Sequence, residues 1–326
     1  VPAIHPARLS AFALMVAAIA GCTTAPTAAN AAAPALQTKL NPGYYRVMVG
    51  DFEVTALSDG TLPFDAGKWL TNTTPAQVEK ALAKVYLTSS PESSVNAFLV
   101  NTGAKLVLVD AGSGVLFGPA LGKLLLNMDA AGYSPEQVDE IYITHMHTDH
   151  VGGLMSGDKL VFPNAVVRAD KHDADFWLSD ENLKNAPNEM KTFFEGARAS
   201  LNPYIKAGKF KPFNGGTDLV PGVKAVAMYG HTPGHTFYVA ESKGQRVLFW
   251  GDLVHAEAVQ LPNPSVTVVF DVDAKAAAAQ RKKAFADLAK QGTLIAAPHI
   301  AFPGIGRLRK DGKGYAWVPV NYSAKP

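Results

Sequence analysis

The chain is short of cysteine, of net charge and of long apolar runs, and each shortage removes a class of explanation. Its 326 residues include one cysteine, Cys22. No internal disulfide can form, and a metal site in the body of the chain must be built from nitrogen and oxygen donors. The formal charge is +2, and no basic run is interleaved with aromatics, so a nucleic-acid groove is not expected. Hydrophobic residues make up 48%, enough for a sizeable core in one domain.

The one sustained apolar run, Leu9 to Ala20, follows Arg8 and is too short to span a bilayer as a mature helix. It has the form of a secretory leader, so residues 1–21 are excluded from fold reasoning. Its end, "IAGC", resembles the lipobox of bacterial lipoproteins, which implies cleavage before Cys22 and lipidation there. Cleavage later, within "APTAANAAAPA", would give a soluble periplasmic protein instead. On either reading the protein is exported, and its only expected membrane contact is that anchor. Residues 22–42, rich in Ala, Thr and Pro, read as a flexible tether, and 43–326 as a single domain.

Within that domain "YYRVMVGDFEVTALSDG" alternates around Gly50-Asp51, a hairpin pattern. "SVNAFLVNTGAKLVLVDAG" repeats it around Asn101-Thr102-Gly103. Residues 119–131 read as an amphipathic helix ending at Gly132, and "SPEQ" starts a short one. "EIYIT", "VKAVAMYG", "QRVLFWGD" and "TLIAAPH" are strands with polar residues at their C-terminal ends, and a helix capped by Asp273 covers 274–290. The expected fold class is α/β: two mixed sheets face to face, flanked by helices and enclosing one site.

What the chain does have is "YITHMHTDHVGG", residues 142–153, which holds three of its nine histidines within six positions. Buried imidazoles crowded together repel when protonated, whereas neutral imidazoles and carboxylates bind zinc-like ions well. On extended chain, His145 and His147 point to one side and can share an ion. Asp149 and His150 follow where the chain turns, and Gly152 and Gly153 let the backbone pass close by. Three further donors stand at strand ends: His231, Asp252 and His299. One ion then takes His145, His147 and His231, and the other takes Asp149, His150 and His299. Asp252 bridges them, at the spacing of ~3.5–4 Å usual for paired ions.

These motifs resemble the metallo-β-lactamase superfamily, which carries HxHxDH followed by a distant His, Asp and His. From Tyr44 to Tyr322 the chain looks like the methyl parathion hydrolase family and its dihydrocoumarin hydrolase-like lactonase relatives. "GDFEVTALSDGT", "EQVDEIYITHMHTDHVGGL", "FPNAVVRAD", "GHTPGHT", "RKKAFAD" and "FPGIG" carry the likeness. It implies an αβ/βα four-layer sandwich, two divalent ions (zinc by default, with manganese, cobalt or iron as alternatives) and a homodimer. It also implies hydrolysis of a small aromatic lactone, aryl ester or organophosphate by a metal-bridging hydroxide, with Asp252 also a candidate proton acceptor. Some relatives hold one iron and oxidise sulfur compounds. The second donor set, Asp149/His150/His299, argues against that reading, and seven intact donors argue against a non-catalytic binding protein.

The remaining candidates concern the pocket. His255, three residues after Asp252, is either a loop histidine bonded to backbone or a pocket residue able to hydrogen-bond a carbonyl or leaving group. The resemblance puts an apolar residue at its place, and a smaller one at that of Phe270, in the organophosphate hydrolase. Both differences favour the lactonase relatives. Phe117, Trp177 and Phe193 match aromatics at the pocket mouth, although Phe176 could face inward in place of Trp177. His235 is expected beside the ligands rather than among them, and His172 on an exposed helix face.

Overall fold

The alternation in the sequence becomes two sheets. The computed structural model describes residues 33, 35–36 and 38–325. The expected leader, Cys22 and the first part of the tether lie outside the described residues. The first sheet runs in the order Tyr44–Val49, Phe52–Pro63, Glu92–Asn101, Leu106–Val109, Glu140–Tyr142 and Val166–Arg168. The second runs Thr217–Asp218, Val223–Ala227, Thr236–Ser242, Gln245–Phe249, Leu294–Ala296, Ile305–Asp311 and Gly314–Pro319. Gly50, at φ +60, closes the first hairpin and sets Val49 opposite Phe52.

Successive side chains on a strand point to opposite faces, and here each face has its own partner. Val54, Ala56, Phe98, Val100, Val107 and Val109 meet Tyr238, Ala240, Val247, Phe249 and Ile305 between the sheets. Leu57, Leu99, Leu106, Leu108 and Ile141 face outward, against Leu124, Met128, Trp177, Phe194 and Leu201 from helices. On the far side, Phe237, Ile295 and Leu308 pack on Ala284, Phe285 and Leu288 of the helix Ala274–Gln291. The result is the expected α/β four-layer sandwich. Truncating one of these buried side chains, as in Leu108→Ala, costs about 2–5 kcal/mol.

One expected element is broken. Residues 119–131 form a single 3-10 turn, Gly118–Ala120, and a separate helix, Leu124–Ala130. Gly122 interrupts them at φ +77, where a Cβ would lie 2.4 Å from the Gly114 carbonyl oxygen. Among the described residues no helix is long and apolar enough to cross a membrane.

Strand direction positions the site. Leu106–Val109 runs parallel to Glu140–Tyr142, and Gln245–Phe249 runs parallel to Leu294–Ala296. Parallel neighbours end on the same edge, so Asp110, the His145 segment, Asp252 and His299 all emerge at one rim of the sandwich. A smaller apolar cluster of Ala66, Leu70, Val78, Leu82, Val259, Val266 and Val268 carries Phe64, Trp69 and Phe270 on its margin.

Candidate metal centre

His145 and His147 lie on non-helical chain after the strand, with His147 at φ −67, ψ 153. Thr148–Val151 then makes one helical turn that holds Asp149 and His150. Donor atoms of His145, His147, His231 and Asp252 lie within 4.8 Å of one another, and so do those of Asp149, His150, Asp252 and His299. Asp252 belongs to both groups. Its Oδ2 is 3.5 Å from Nε2 of His145 and of His231, while its Oδ1 is 3.1 Å from Nε2 of His150 and of His299. Asp149 Oδ2 lies 3.4 Å from His299 Nε2 and 3.5 Å from His150 Nε2. The glycines after the motif serve a close approach: a Cβ would sit 2.2 Å from the Ser113 carbonyl oxygen at Gly152 and 1.9 Å from that of Ala111 at Gly153.

The donor chemistry fits divalent cations. Nε2 of His145, His147 and His150 and Oδ1 of Asp252 are buried with no hydrogen-bond partner among the described residues, a costly state for a polar atom unless something else satisfies it. The other nitrogens of several rings are tied. His150 Nδ1 donates to Asp110 Oδ2 at 2.8 Å, His231 Nδ1 to Asp271 Oδ1 at 2.8 Å, and His299 Nδ1 to the Ser94 carbonyl at 2.9 Å. A proton fixed on Nδ1 leaves the Nε2 lone pair facing the cluster, as metal-binding histidines require. Burial, and then neighbouring imidazoles, hold His145 and His147 well below the usual histidine range. At His231 burial also acts downward, but Asp252 and Asp271 outweigh it and lift the group to about 9. A cation shared by these groups would relieve both conflicts. Only Asp149 keeps appreciable exposure, 18% of its side chain, so solvent reaches the cluster from its side.

All seven donors expected from spacing therefore meet at one place. Three carboxylates that support them escaped notice in the sequence. Asp110 accepts from Thr144 N at 2.8 Å and Thr144 Oγ1 at 2.9 Å besides His150. Asp271 also accepts from Val268 N at 3.0 Å. Asp173 accepts from Met146 N at 2.9 Å and Gly234 N at 2.5 Å, tying the motif to the turn after His231. Burial pushes that carboxyl up to about 6 despite these hydrogen bonds. An isolated aspartate past a strand, or in the first turn of a helix as Asp173 is, carries no local signal of such a role.

His235 stands beside the ligands, as expected, with Nε2 accepting from Asp252 N at 3.0 Å. His172 lies on the helix Lys171–Trp177 with its side chain 55% exposed. His255 is buried and more central than a loop histidine, its Nε2 3.0 Å from Asp252 Oδ2 and its ring stacked on His299 at 5.2 Å. Its Nδ1 has no partner among the described residues. Phe270 lies 6.3 Å from the His255 ring and 6.1 Å from Phe193, so these form one wall. Trp177 corrects the expectation. It has no exposed surface and packs edge-on to His147 at 5.2 Å, supporting that ring from behind instead of lining a pocket. Phe117 is 40% exposed and stands apart from the aromatic contacts of the cluster. Phe64 and Trp69 take the places that the sequence left unassigned, 6.3 Å from His255 and 5.2 Å from Phe270.

Comparison with known proteins agrees with this geometry. The family model of the metallo-beta-lactamase superfamily matches residues 90–290. The chain belongs to that superfamily. Among solved structures of the superfamily, the hydrolase AbOPH is 39% identical, with a TM-score of 0.83 over 87% of this chain and 100% of its own. AidC, a dizinc quorum-quenching lactonase solved with a product, is 26% identical, with a TM-score of 0.80 over 86% of this chain and 98% of its own. Matches to curated proteins are more local. Ribonuclease TTHA0252 of Thermus thermophilus is 29% identical over 183 residues, 56% of this chain, and an N-acyl homoserine lactonase of a Bacillus species is 33% identical over 112 residues, 34% of this chain. The chain spans about two fifths of the length of these curated relatives, 40% and 36% respectively. His and Asp groups suited to divalent metal thus sit together in a chain of this superfamily.

Proposed function

We propose that this superfamily member opens lactones and cleaves aryl esters at a two-metal centre held by His145, His147, His231, Asp149, His150, His299 and the shared Asp252. The observation that carries the reading is Asp252, which belongs to both donor groups: Oδ2 lies near His145 and His231, Oδ1 near His150, and His299 Nε2 is 3.1 Å from each oxygen, while His255 bonds Oδ2 beneath an aromatic wall. The all-nitrogen-and-oxygen donor set suits zinc, with manganese, cobalt or iron as substitutes. Divalent ions held there would supply a water of lowered pKa, ~7 in favourable sites, and a positive charge to polarise a substrate oxygen.

The chain's own residues divide the remaining work. Asp110, Asp271 and the Ser94 carbonyl hold the ligand rings in one tautomer. Asp252 Oδ2 accepts the His255 Nε2 proton, which orients the imidazole. His255 Nδ1, buried and without a partner among the described residues, then carries a lone pair that can accept a hydrogen bond or a proton but not donate one. Phe270, Phe193 and Trp69 offer flat apolar surface to an aromatic ring and exclude water from the reacting group. The likeness to the methyl parathion hydrolase family and its dihydrocoumarin hydrolase-like relatives supports this substrate class, as does the lactonase AidC. The rival main substrate is an organophosphate triester.

The test is kcat/KM on metal-analysed protein for dihydrocoumarin, an N-acyl homoserine lactone and methyl paraoxon side by side. A lactone preference of about a hundredfold or more supports the reading. A triester preference replaces it with the organophosphate hydrolase.

A further inference from the structure

Arg281 opens the stretch "RKKAFAD", to which the site as described gives no role. It lies on the helix Ala274–Gln291 and is 1% exposed. Its hydrogen bonds among the described residues all go to backbone carbonyls: Nε to Leu253 at 2.6 Å, and Nη1 to Val266 at 2.6 Å and Pro264 at 3.4 Å. No carboxylate hydrogen-bonds this buried guanidinium, and the Asp271 charge, which acts on it from nearby, does not offset the cost of burying it; a well-packed apolar side chain of the same volume would be cheaper to bury. The carbonyls it holds explain its presence better than filling does.

Leu253 directly follows Asp252, and Val266 directly precedes the strand Thr267–Val268 that leads into Phe270 and Asp271. Between the two anchor points the chain makes an excursion carrying His255. Its base is closed a second time by Gln260, whose Oε1 accepts from His255 N at 2.8 Å and Ala256 N at 3.1 Å. Gln260 Nε2 donates to the same Val266 carbonyl at 3.2 Å. One rigid fork and one buried amide thus determine where His255 and Phe270 stand relative to each other. Beyond Phe270, Asp271 reaches His231. The donors of the first half, His145 to His150, make no contact with this frame among its hydrogen bonds.

We propose that Arg281 is a positioning residue which, through the Leu253 and Val266 carbonyls and with Gln260, sets the spacing of His255 and Phe270 and so the fit of the substrate's ring. The identity of that ring rests on the proposed function; the control of the wall does not. A lysine is a poor replacement, because a compact ammonium cannot hold two carbonyls in a fixed fork.

The experiment compares metal-loaded wild type, Arg281→Lys and Arg281→Met by hydrogen exchange of the peptides spanning 253–272 and 142–153. Metal content, kcat and KM for dihydrocoumarin are measured alongside. Exchange over 253–272 should rise by about tenfold or more in Arg281→Met while 142–153 stays protected, the pattern of local rather than global opening. KM should rise about tenfold, kcat should fall by less than KM rises, and metal content should stay unchanged, with Arg281→Lys in between. Faster exchange everywhere would make Arg281 a general stability residue and overturn the proposal. So would a fall in metal content and kcat at constant KM. If Arg281→Met does not fold, Arg281→Lys decides: local loosening with raised KM supports the proposal, and wild-type behaviour overturns it. If no form hydrolyses dihydrocoumarin, the proposed function has failed, and the exchange pattern alone still decides the role of Arg281.

Discussion

The two halves of the molecule bring their donors to the metal cluster in opposite ways. The first half places His145, His147, Asp149 and His150 on one short stretch, while the second brings His231, Asp252 and His299 from three separate strand ends. Contiguous donors share their support. Asp110 alone holds Thr144 through both N and Oγ1, and His150 through Nδ1. Dispersed donors each need their own: Asp271 for His231, the Ser94 carbonyl for His299, and His235 against Asp252 N. A fault in the first half should therefore spread through the cluster, and a fault in the second should stay local.

The largest effect should come from the one residue that both groups use. Asp252→Ala removes the carboxylate facing five imidazoles, four of them in the donor groups, so kcat/KM should fall by about a thousandfold or more and bound metal should drop below two ions per chain. Metal analysis with kinetics on dihydrocoumarin checks it, and retention of both ions would dissolve the comparison. Chelator treatment should act in the same direction on the intact protein. Zinc returned at a hundred times its Kd should restore about 2.7 kcal/mol of stability, read as a rise in Tm.

The next pair tests the asymmetry directly. Loss of a carboxylate behind a metal-binding histidine weakens metal affinity about 10–100-fold. Asp110→Asn should lie at the upper end of that range, since it loosens His150 and the Thr144 backbone together. Asp271→Asn should lie at the lower end, since its other partner, Val268 N, lies outside the cluster and His231 is the one donor it frees. Competition against a chromophoric chelator reads both. Equal losses, or a larger one for Asp271→Asn, would break the contrast between shared and private support.

Much of this was legible before any coordinates. The spacing His-x-His-x-Asp-His and the polar residues at strand ends are local signals, and they name all seven donors. The hairpin at Gly50 and the helix after Asp273 are equally local. The carboxylates Asp110, Asp173 and Asp271 were not legible in that way, because the groups they hold at the cluster are distant in sequence, and neither an aspartate past a strand nor one in the first turn of a helix, as Asp173 is, signals such a role. Trp177 was misplaced for a similar reason. Whether an aromatic on a helix faces a cavity or the back of a ligand depends on packing with Phe193 and Phe194, which periodicity does not encode. Phe64 and Trp69 were missed because their position depends on the small cluster beneath them.

A third change separates chemistry from support. His255 belongs to the dispersed half and bonds Asp252 at 3.0 Å; on the proposed function it also adds a hydrogen-bonding group beside the reacting atoms. His255→Leu should lower kcat/KM for dihydrocoumarin about 10–100-fold, the loss of one hydrogen bond to a charged group, and lower that for methyl paraoxon less. Equal losses on both substrates would return His255 to a purely structural part.

The smallest effect should arise at the far end of the strands that serve the first half. Asp139 accepts from Lys105 Nζ at 2.7 Å and Leu106 N at 2.9 Å, joining the starts of Leu106–Val109 and Glu140–Tyr142. Burial acts against its charge, but Lys105 and the Leu106 N–H outweigh it, and the carboxyl is held below the usual aspartate range. A lowered folded-state pKa stabilises the fold above the unfolded value near 3.8, and that contribution is lost as the pH falls through the lower folded value. The carboxylate is about one-third exposed, so solvent screens most of the pairing. Asp139→Asn should lower Tm by only about 1–2 °C at pH 7, and the gap should close in acid below the folded-state pKa. Metal affinity should not change, because the contact sits at the start of the strands and the donors at their end. A measurable loss of metal affinity would mean that support in the first half is shared along the whole strand, and not only through Asp110.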